Sequence, residues 1–539
     1  MTTPAPSPAG QDRLVQAGLL LAFAAVFAPI VMARVPLLLD YPNHLARFWL
    51  LSGGDRVAPI SAMYRIDWSR ASTNIGIDLV VTALGKFLPY QAVGKLIAIA
   101  ALAGPPAGAA LLNRMVFNRW HWWQLSLPIL AWTTTALMGF LSYQIALALA
   151  LFFACLEPAL AKRPMLGVAM RMACGAAILL FHPFGLLFYG ALLAALAIGP
   201  GWRDIFVQAR LLQIARGLAV AAAVVAIPAV LLYTLASTPP GAHVGDHPFL
   251  IWTSPTPYHL ILTAASPFAS YGLSVDALFL LPLLAICGWA AWVRRLNAHA
   301  GLFVVGVLTA ILALMTPGVV GDAGYVDRRF PLMAALMLFA SLQPQPTRRF
   351  AGVVWLAAVL LIVDLGKSSW IASIWSAREG DVRSIERALG ATPPGSAIFT
   401  VQVMPASVKV APVGRYLAGI VGNTSESTLR HMPALVVPER HAFIPTLFTV
   451  PGQQPLRVLA PWSNLAVPSS AVPDAHVLDG HPTKSDLKAD PYLADWRRSF
   501  DYVLVIGADL VDGDGPFTLP PHLRFVAGDA YARLFKIEH

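Results

Sequence analysis

Long apolar runs separated by short polar connections occupy the chain up to about residue 368. A helix needs about 20 apolar residues to cross the hydrocarbon core of a bilayer, so these runs predict about eleven transmembrane helices. The predicted spans are residues 14–38, 91–113, 124–141, 143–161, 165–181, 184–199, 213–235, 273–293, 300–317, 329–343 and 350–368. The first run is too long for a typical signal-peptide core, and we interpret it as an uncleaved span.

Basic residues between the runs predict the orientation of the chain in the membrane. If Arg13 is cytoplasmic, the clear basic clusters fall on the cytoplasmic side, among them Arg114 with Arg119 and Arg294 with Arg295. The exception is Arg328 and Arg329, which begin a predicted span on the opposite side. The N-terminus is therefore predicted to be cytoplasmic, and the region after the last span extracytoplasmic.

The segment 74–89 is too short to span and carries a regular polar pattern. Asp78, Thr82 and Lys86 recur at every fourth residue, so a helix would place them on one face, with apolar residues elsewhere. This pattern predicts an amphipathic helix lying along the membrane surface. The loop 40–90 then stays extracytoplasmic over its whole length.

Residues 370–539 differ in character, because proline, glycine and charged residues become frequent. "DVRSIERALGATPPGSAIFTV" predicts an amphipathic helix, a turn and a strand. "FDYVLVIGAD" and "YARLFKIEH" are typical of strands. The sequence thus predicts a polytopic α-helical membrane domain over residues 1–369, and a C-terminal extracytoplasmic α/β domain over residues 370–539.

Composition supports the membrane assignment. The chain is 57% hydrophobic and 12% charged, whereas a soluble domain is about 25% charged. The net charge of +10 is spread over small clusters between apolar runs, which argues against a nucleic-acid partner. The three cysteines lie inside apolar runs, so neither a disulfide framework nor a metal-ligand spacing is indicated.

The stretch "VPLLLDYPNHLARFWLL" combines an acid, an imidazole and a guanidinium where the first predicted span ends. Pro42 fits the first turn of a helix, and a helix from Asp40 would place Asp40, His44 and Arg47 on one face. The positive end of the helix dipole favours an ionised Asp40, which suits a general base or a metal anchor. The alternative is a simple helix cap, but ionisable residues at membrane depth tend to be functional.

This arrangement resembles the GT-C superfamily of membrane glycosyltransferases. The resemblance covers roughly residues 10–368 and rests on "LLDYPNHLAR", the amphipathic segment and the extracytoplasmic C-terminal domain. It implies a hexosyl- or pentosyltransferase of the cell envelope, in the bacterial inner (plasma) membrane. The implied donor is a polyprenyl-phosphate-linked sugar, the implied acceptor a glycan, lipid or protein, and the implied catalytic base Asp40.

One departure from the family pattern concerns the metal. Many such enzymes carry a second acidic motif in the next extracytoplasmic loop, and here that loop is "GFLSYQ". A divalent metal site is therefore possible but unsupported, and no cofactor is predicted with certainty.

Glycosyl transfer also needs cations near the phosphate that leaves. The candidates are Arg47, Lys86, Arg328 and Arg329, while His44 would shape the site around Asp40. Further predicted substrate-binding residues are Asn74, Asp78, His182, Tyr325 and Asp327. Simpler interpretations are snorkelling for Lys86, an ion pair with Asp327 for the two arginines, and a helix break for His182.

Two other functions fit the same set of predicted spans and basic residues. A transporter or flippase of lipid-linked saccharides would carry ionisable residues deep in several spans, where Arg171 is the clearest example in the sequence. A glycan polymerase or ligase would share the cationic extracytoplasmic site.

Overall fold

The computed structural model describes residues 8–202, 207–238, 248–252, 256–321, 323–345, 350–403, 427–468, 471–479, 482–512, 515–516 and 520–538. The chain forms two compact units. The first contains Met1–Met32, Ser72–Gly76 and Leu96–Ala372, and the second contains Ala33–Ala71, Ile77–Lys95 and Ser373–His539. Most of the loop 40–90 therefore belongs to the same unit as the C-terminal region. The predicted division into residues 1–369 and 370–539 placed this loop in the other domain.

The first unit is helical, and two of its helices, Tyr90–Phe117 and Phe350–Ala377, extend by a few residues into the second unit. Its helices are Pro8–Met32, Tyr90–Phe117, Thr134–Leu137, Leu141–Ala154, Glu157–Leu160, Pro164–Phe181, Pro183–Ile198, Gln208–Leu235, Pro257–Ala265, Leu273–Trp292, Ala300–Leu314, Arg329–Ser341 and Phe350–Ala377. Two short antiparallel ladders join Leu250–Ile251 to Val319–Val320 and Leu296–Ala298 to Leu342–Pro344. Buried aliphatic and aromatic side chains from most of these helices form one core.

Within the described residues, five helical segments are long and apolar enough to cross a membrane: Asp12–Met32, Tyr90–Phe117, Arg210–Leu235, Leu273–Trp292 and Gly352–Gly390. Five shorter apolar helices coincide with other predicted spans: Leu141–Ala154, Met165–Phe181, Pro183–Ile198, Ala300–Leu314 and Arg329–Ser341. These helices indicate association with a membrane. The count of about eleven spans is not confirmed.

The predicted span 124–141 does not form a helix of that length. The segment folds into the 3₁₀ turns Trp122–Ser126 and Pro128–Ala131 and the single helical turn Thr134–Leu137. Thr133 ends the irregular stretch by accepting a hydrogen bond from the amide of Ala136 at 3.1 Å, as a helix cap does. Nearly all of these residues are buried within the first unit, so their apolar character reflects packing against protein.

Ionisable side chains also lie inside the first unit. Lys367 and Asp276 are almost fully buried, and the Lys367 Nζ lies 3.2 Å from the Asp276 Oδ1. Asp276 further accepts hydrogen bonds from the amide and hydroxyl of Ser270. Asp364 is 2% exposed, and neither of its carboxylate oxygens has a hydrogen-bond partner in the described part of the chain. Arg171, noted in the sequence, pairs with Glu157 at 2.7 Å.

The second unit combines short helices with several small sheets. Its helices are Tyr41–Leu51, Gly76–Leu84, Glu379–Gly390, Val436–Arg440, Lys484–Ala489 and Trp496–Ser499. Its strands are Tyr64–Ile66, Ile398–Gln402, Leu456–Val458, Tyr502–Ile506, Val511–Asp512, Gly515–Pro516, Leu523–Gly528 and Ala532–Ile537. We call Tyr41–Leu51 the loop helix.

The largest sheet of the described chain has four strands near the C-terminus. Their order is Leu523–Gly528, Ala532–Ile537, Tyr502–Ile506 and Ile398–Gln402, with only the last pair parallel. The helix Glu379–Gly390 precedes Ile398–Gln402, and Gly395 makes the turn between them at a φ of +85°, which glycine adopts at little cost. The sheet confirms the predicted strands and the helix–turn–strand order.

The loop 40–90 packs within the second unit and is joined to it by hydrogen bonds. Strand Tyr64–Ile66 pairs antiparallel with Leu456–Val458, and the Tyr64 hydroxyl donates to the carbonyl of Ile444 at 2.9 Å. The buried Asn43 side chain donates to the carbonyl of Thr446 at 2.8 Å and accepts from the amide of Phe448 at 2.9 Å. The loop helix is thereby fastened to residues 444–448.

Breaking the buried Lys367–Asp276 pair should destabilise the protein. Lys367→Met or Asp276→Asn leaves one buried partner without its counterpart, which costs about 3–5 kcal/mol. The double variant should lose less than the sum of the two single losses. Thermal unfolding of the detergent-purified protein measures this. Arg387→Met, which breaks the more exposed pair with Asp529, serves as the control and should cost about 1 kcal/mol or less. Additive losses from the two single variants would contradict the coupling.

Candidate functional site

The loop helix places the three predicted polar residues as the sequence indicated. The helix runs Tyr41–Leu51, with Asp40 at its N-cap position and Pro42 in its first turn. The Asp40 carboxylate accepts no capping hydrogen bond from the helix amides. Its side chain is therefore oriented by groups other than its own helix, and a simple cap does not describe it.

Arg47 is held by a buried ion pair. Its Nε donates to the Asp78 Oδ1 at 3.0 Å, and the side chains are 3% and 0% exposed. Burial raises the pKa of Asp78 above its ordinary value, and the positive charge of Arg47 opposes this. In the described part of the chain, the Arg47 Nη1 has no hydrogen-bond partner. The Nε side of the Arg47 guanidinium is thus the part that Asp78 holds.

His44 completes a line of contacts along the loop helix. Its Nδ1 lies 3.1 Å from the Arg47 Nη2. Because a guanidinium only donates hydrogen bonds, this Nδ1 must accept and the ring proton belongs on Nε2. The ring also stacks on Phe48, with centroids 6.1 Å apart. His44 is consequently a neutral imidazole whose orientation is set by Arg47.

His431 meets Asp40, a contact that the sequence did not predict. Its Nε2 lies 3.5 Å from the Asp40 Oδ1, and the side chains are 5% and 15% exposed. Burial, assisted by the positive charge of nearby Arg430, holds the pKa of His431 well below its ordinary value. His431 is therefore neutral near pH 7. In the sequence, only its position directly before the apolar stretch "MPALVV" distinguished it.

Phe448 packs between the two histidines. Its ring centroid lies 5.8 Å from that of His44 and 5.6 Å from that of His431. Since Asn43 holds the Phe448 backbone, the spacing of the two imidazoles is fixed by the same residues that anchor the loop helix. We define the Asp40 cluster as Asp40, His44, Arg47, Asp78 and His431.

The predicted polar stripe on segment 74–89 is wrong. The helix ends at Leu84, so Lys86 lies in the following turn, where it is exposed, whereas Asp78 is fully buried. Asp78 turns inward because it pairs with Arg47. The exposed residues here are largely apolar, with Leu79 46% and Phe87 82% exposed, which favours a position at the membrane surface. That location stays a prediction.

A second group of predicted residues lies in the first unit. Asp327 is 3.1 Å from the His259 Nε2 and 3.5 Å from the Arg328 Nε. Arg328 and Asp327 are both buried. The simpler interpretation of Arg328, an ion pair with Asp327, therefore describes its main contact.

Arg329 lies among aromatic rings. Its guanidinium carbon is 4.8 Å from the ring centroid of Phe140 and 5.3 Å from that of Phe184, distances at which cations are attracted to ring faces. Its Nη2 donates to the carbonyl of Gly324 at 3.2 Å, and its Nη1 lies 2.8 Å from the His182 Nε2. The aromatic rings and these polar contacts fix the guanidinium in place.

The remaining predicted residues of the first unit lie around Arg329 or in its connections. His182 accepts a hydrogen bond from the amide of Phe184 and caps helix Pro183–Ile198, which matches its interpretation as a helix break. Tyr325, at a φ of +55°, approaches Phe140 with ring centroids 6.5 Å apart. Asn74 has a φ of +60°. In the described residues, no group of three or more His, Cys, Asp or Glu side chains is arranged to hold a metal ion.

No protein-family model matches this sequence, and no curated protein shows significant similarity to it. What the chain can do is therefore argued from its side chains. The Asp40 cluster combines a partly accessible carboxylate with a neutral imidazole and a fixed guanidinium. Such a set can accept a proton and stabilise negative charge nearby.

The buried Arg47–Asp78 pair predicts a pH-dependent defect. Arg47→Met leaves Asp78 buried without its partner and raises its folded-state pKa further. The native state then holds a proton that the unfolded chain releases, so the defect grows as pH rises above the ordinary aspartate range. At neutral pH we expect a loss of about 3–5 kcal/mol. Thermal midpoints of purified protein across this pH range measure the effect.

The matched control for this prediction is the double variant Arg47→Met/Asp78→Asn. It contains no ionisable group at either position, so the pH-dependent loss expected of Arg47→Met should be absent from it. A defect of Arg47→Met that is equally large in mild acid and at neutral pH would contradict the assignment.

Proposed function

We propose that this protein is an integral-membrane glycosyltransferase that moves a sugar from a polyprenyl-phosphate donor to an extracytoplasmic acceptor. The observation that carries the proposal is the half-buried Asp40, which follows the candidate span Asp12–Met32 and lies beside neutral His431. The bacterial inner membrane is the proposed location, with the N-terminus cytoplasmic and the C-terminal region outside.

The proposed reaction assigns Asp40 the role of general base. An acceptor hydroxyl attacks the anomeric carbon of the donor sugar as the bond from that carbon to the phosphate oxygen breaks. Asp40 takes the hydroxyl proton, and the polyprenyl phosphate leaves with the bonding electrons, so configuration inverts. The 15% exposure of the Asp40 side chain supports this role, because a base must reach the proton that it removes.

The phosphate that leaves gains negative charge and needs a cation. In the second unit, exposed Lys86 is available to a ligand, whereas Arg47 is largely occupied by Asp78 and His44. Within the second unit, we assign phosphate binding to Lys86 ahead of Arg47. The predicted roles of Arg328 and Arg329 in the first unit stay predictions.

One observation favours the alternative of a transporter or flippase. Asp276, Asp364 and Lys367 are buried within candidate spans, and ionisable residues there often mark transport pathways. Product formation in detergent, without any transmembrane gradient, separates the two functions. The mass of the transferred group separates a monosaccharide transferase from a glycan polymerase or ligase.

The test compares Asp40→Asn with Asp55→Asn in detergent-purified protein supplied with polyprenyl-phosphate sugars and a cell-envelope acceptor fraction. Loss of a general base typically lowers turnover by about 10²–10⁴-fold, and Asp40→Asn should show a loss of this size. Asp55 lies on the neighbouring 3₁₀ turn Gly54–Arg56, outside the Asp40 cluster, so its variant should keep activity. Full turnover by folded Asp40→Asn would remove the base assignment.

A further inference from the structure

We propose that His431 is the positioning residue of Asp40. Its neutral imidazole donates the Nε2 proton to the Asp40 carboxylate and thereby orients the carboxylate oxygen that takes the proton of the acceptor. This inference rests on the proposed function. It assigns a role in the reaction to a residue of the C-terminal region, far in sequence from the loop that carries Asp40.

The contact itself suggests the direction of the hydrogen bond. The His431 Nε2 lies 3.5 Å from the Asp40 Oδ1, and an ionised carboxylate can only accept. The contact is therefore favourable when the single proton of the neutral ring is on Nε2. At 3.5 Å the two atoms lie farther apart than in an ordinary hydrogen bond, and catalytic contacts of this kind commonly shorten when substrate binds.

The surroundings of the His431 Nδ1 are compatible with the tautomer that carries its proton on Nε2. In the described chain, the His431 Nδ1 is buried and has no hydrogen-bond partner. No acceptor there competes for a proton on Nδ1. The tautomer with the proton on Nε2 is thus the one that satisfies the contact with Asp40.

The ring is also held in place. The turn Met432–Leu435, which follows His431 directly, packs against the loop helix. Phe448 lies against the imidazole, and Asn43 of the loop helix holds the Phe448 backbone. One set of contacts therefore fixes both members of the pair, as positioning of a base requires.

Burial is the main reason that His431 stays neutral, and the groups around it act in the same direction. Arg430 adjoins it in sequence, and His44 faces it from the loop helix. Arg47 contacts His44 and is paired with Asp78, so both belong to the same group of polar residues. Residues 446–448, which include Phe448, contain no titratable side chain. Nearby positive charge opposes a second proton on the ring, so His431 stays a donor to Asp40 and does not become a competing acid.

The experiment compares His431→Gln with His431→Phe by the pH dependence of kcat/KM for sugar transfer from polyprenyl-phosphate sugars. A glutamine amide can supply an N–H near the position of Nε2, whereas phenylalanine keeps the ring shape without a donor. A donor stabilises the ionised carboxylate. In His431→Phe we therefore expect the acid limb of the profile to move to higher pH by about one unit, with about a 10²-fold lower rate near neutrality.

His431→Gln should keep the acid limb of the wild type and recover at least about a tenth of its rate. His476→Gln and His476→Phe are matched controls, because His476 is exposed and pairs with Asp474 and Asp486. Both should leave the profile unchanged. If His431→Phe does not fold, as judged by its thermal midpoint, His431→Asn replaces it, since its shorter amide does not reach the position of Nε2.

The outcomes separate this inference from the proposed function. A wild-type acid limb in the variant without the donor, or an equal shift in His431→Gln, would overturn the role of His431 while leaving Asp40 as base. Full activity of Asp40→Asn, or no transfer by the wild type, would overturn the proposed reaction and the inference together.

Discussion

The buried ion pair between Arg47 and Asp78 is the constraint on which the arrangement of the second unit depends. Neither charge can be left alone in the interior, so the loop helix and helix Gly76–Leu84 must meet at this point. Arg47 then orients His44 through its remaining contact. The pair thereby converts two short, separate helices of one loop into a fixed frame for Asp40.

The same frame explains why the C-terminal region contributes to the candidate site. Asn43 is fully buried and satisfies both ends of its amide with the backbone of residues 446–448. This backbone carries Phe448, which in turn contacts His431. The hydrogen bonds that the buried Asn43 amide requires thus help to bring His431 of the C-terminal region next to Asp40 of the loop.

Local patterns could predict the parts of the structure that depend on local rules. Helical spacing placed Asp40, His44 and Arg47 on one face, and apolar runs rich in β-branched residues placed strand Tyr502–Ile506. The partners could not be predicted this way. Asp78 was assigned to a polar stripe because its spacing fits one, yet the charge of Arg47 draws it inward. Nothing periodic marks His431, and hydropathy alone cannot tell the protein-buried segment 124–141 from a lipid-facing span.

The ionisable residues of helix Phe350–Ala377 have a consequence for how the protein is made. If this helix spans the membrane, Lys367 and Asp364 enter the translocon on one segment, and each adds up to about 2.5–3.5 kcal/mol to the cost of insertion. Asp276, the partner of Lys367, is synthesised earlier on helix Leu273–Trp292. Integration of this candidate span would then be favoured by a helix made before it, which already carries the partner of Lys367.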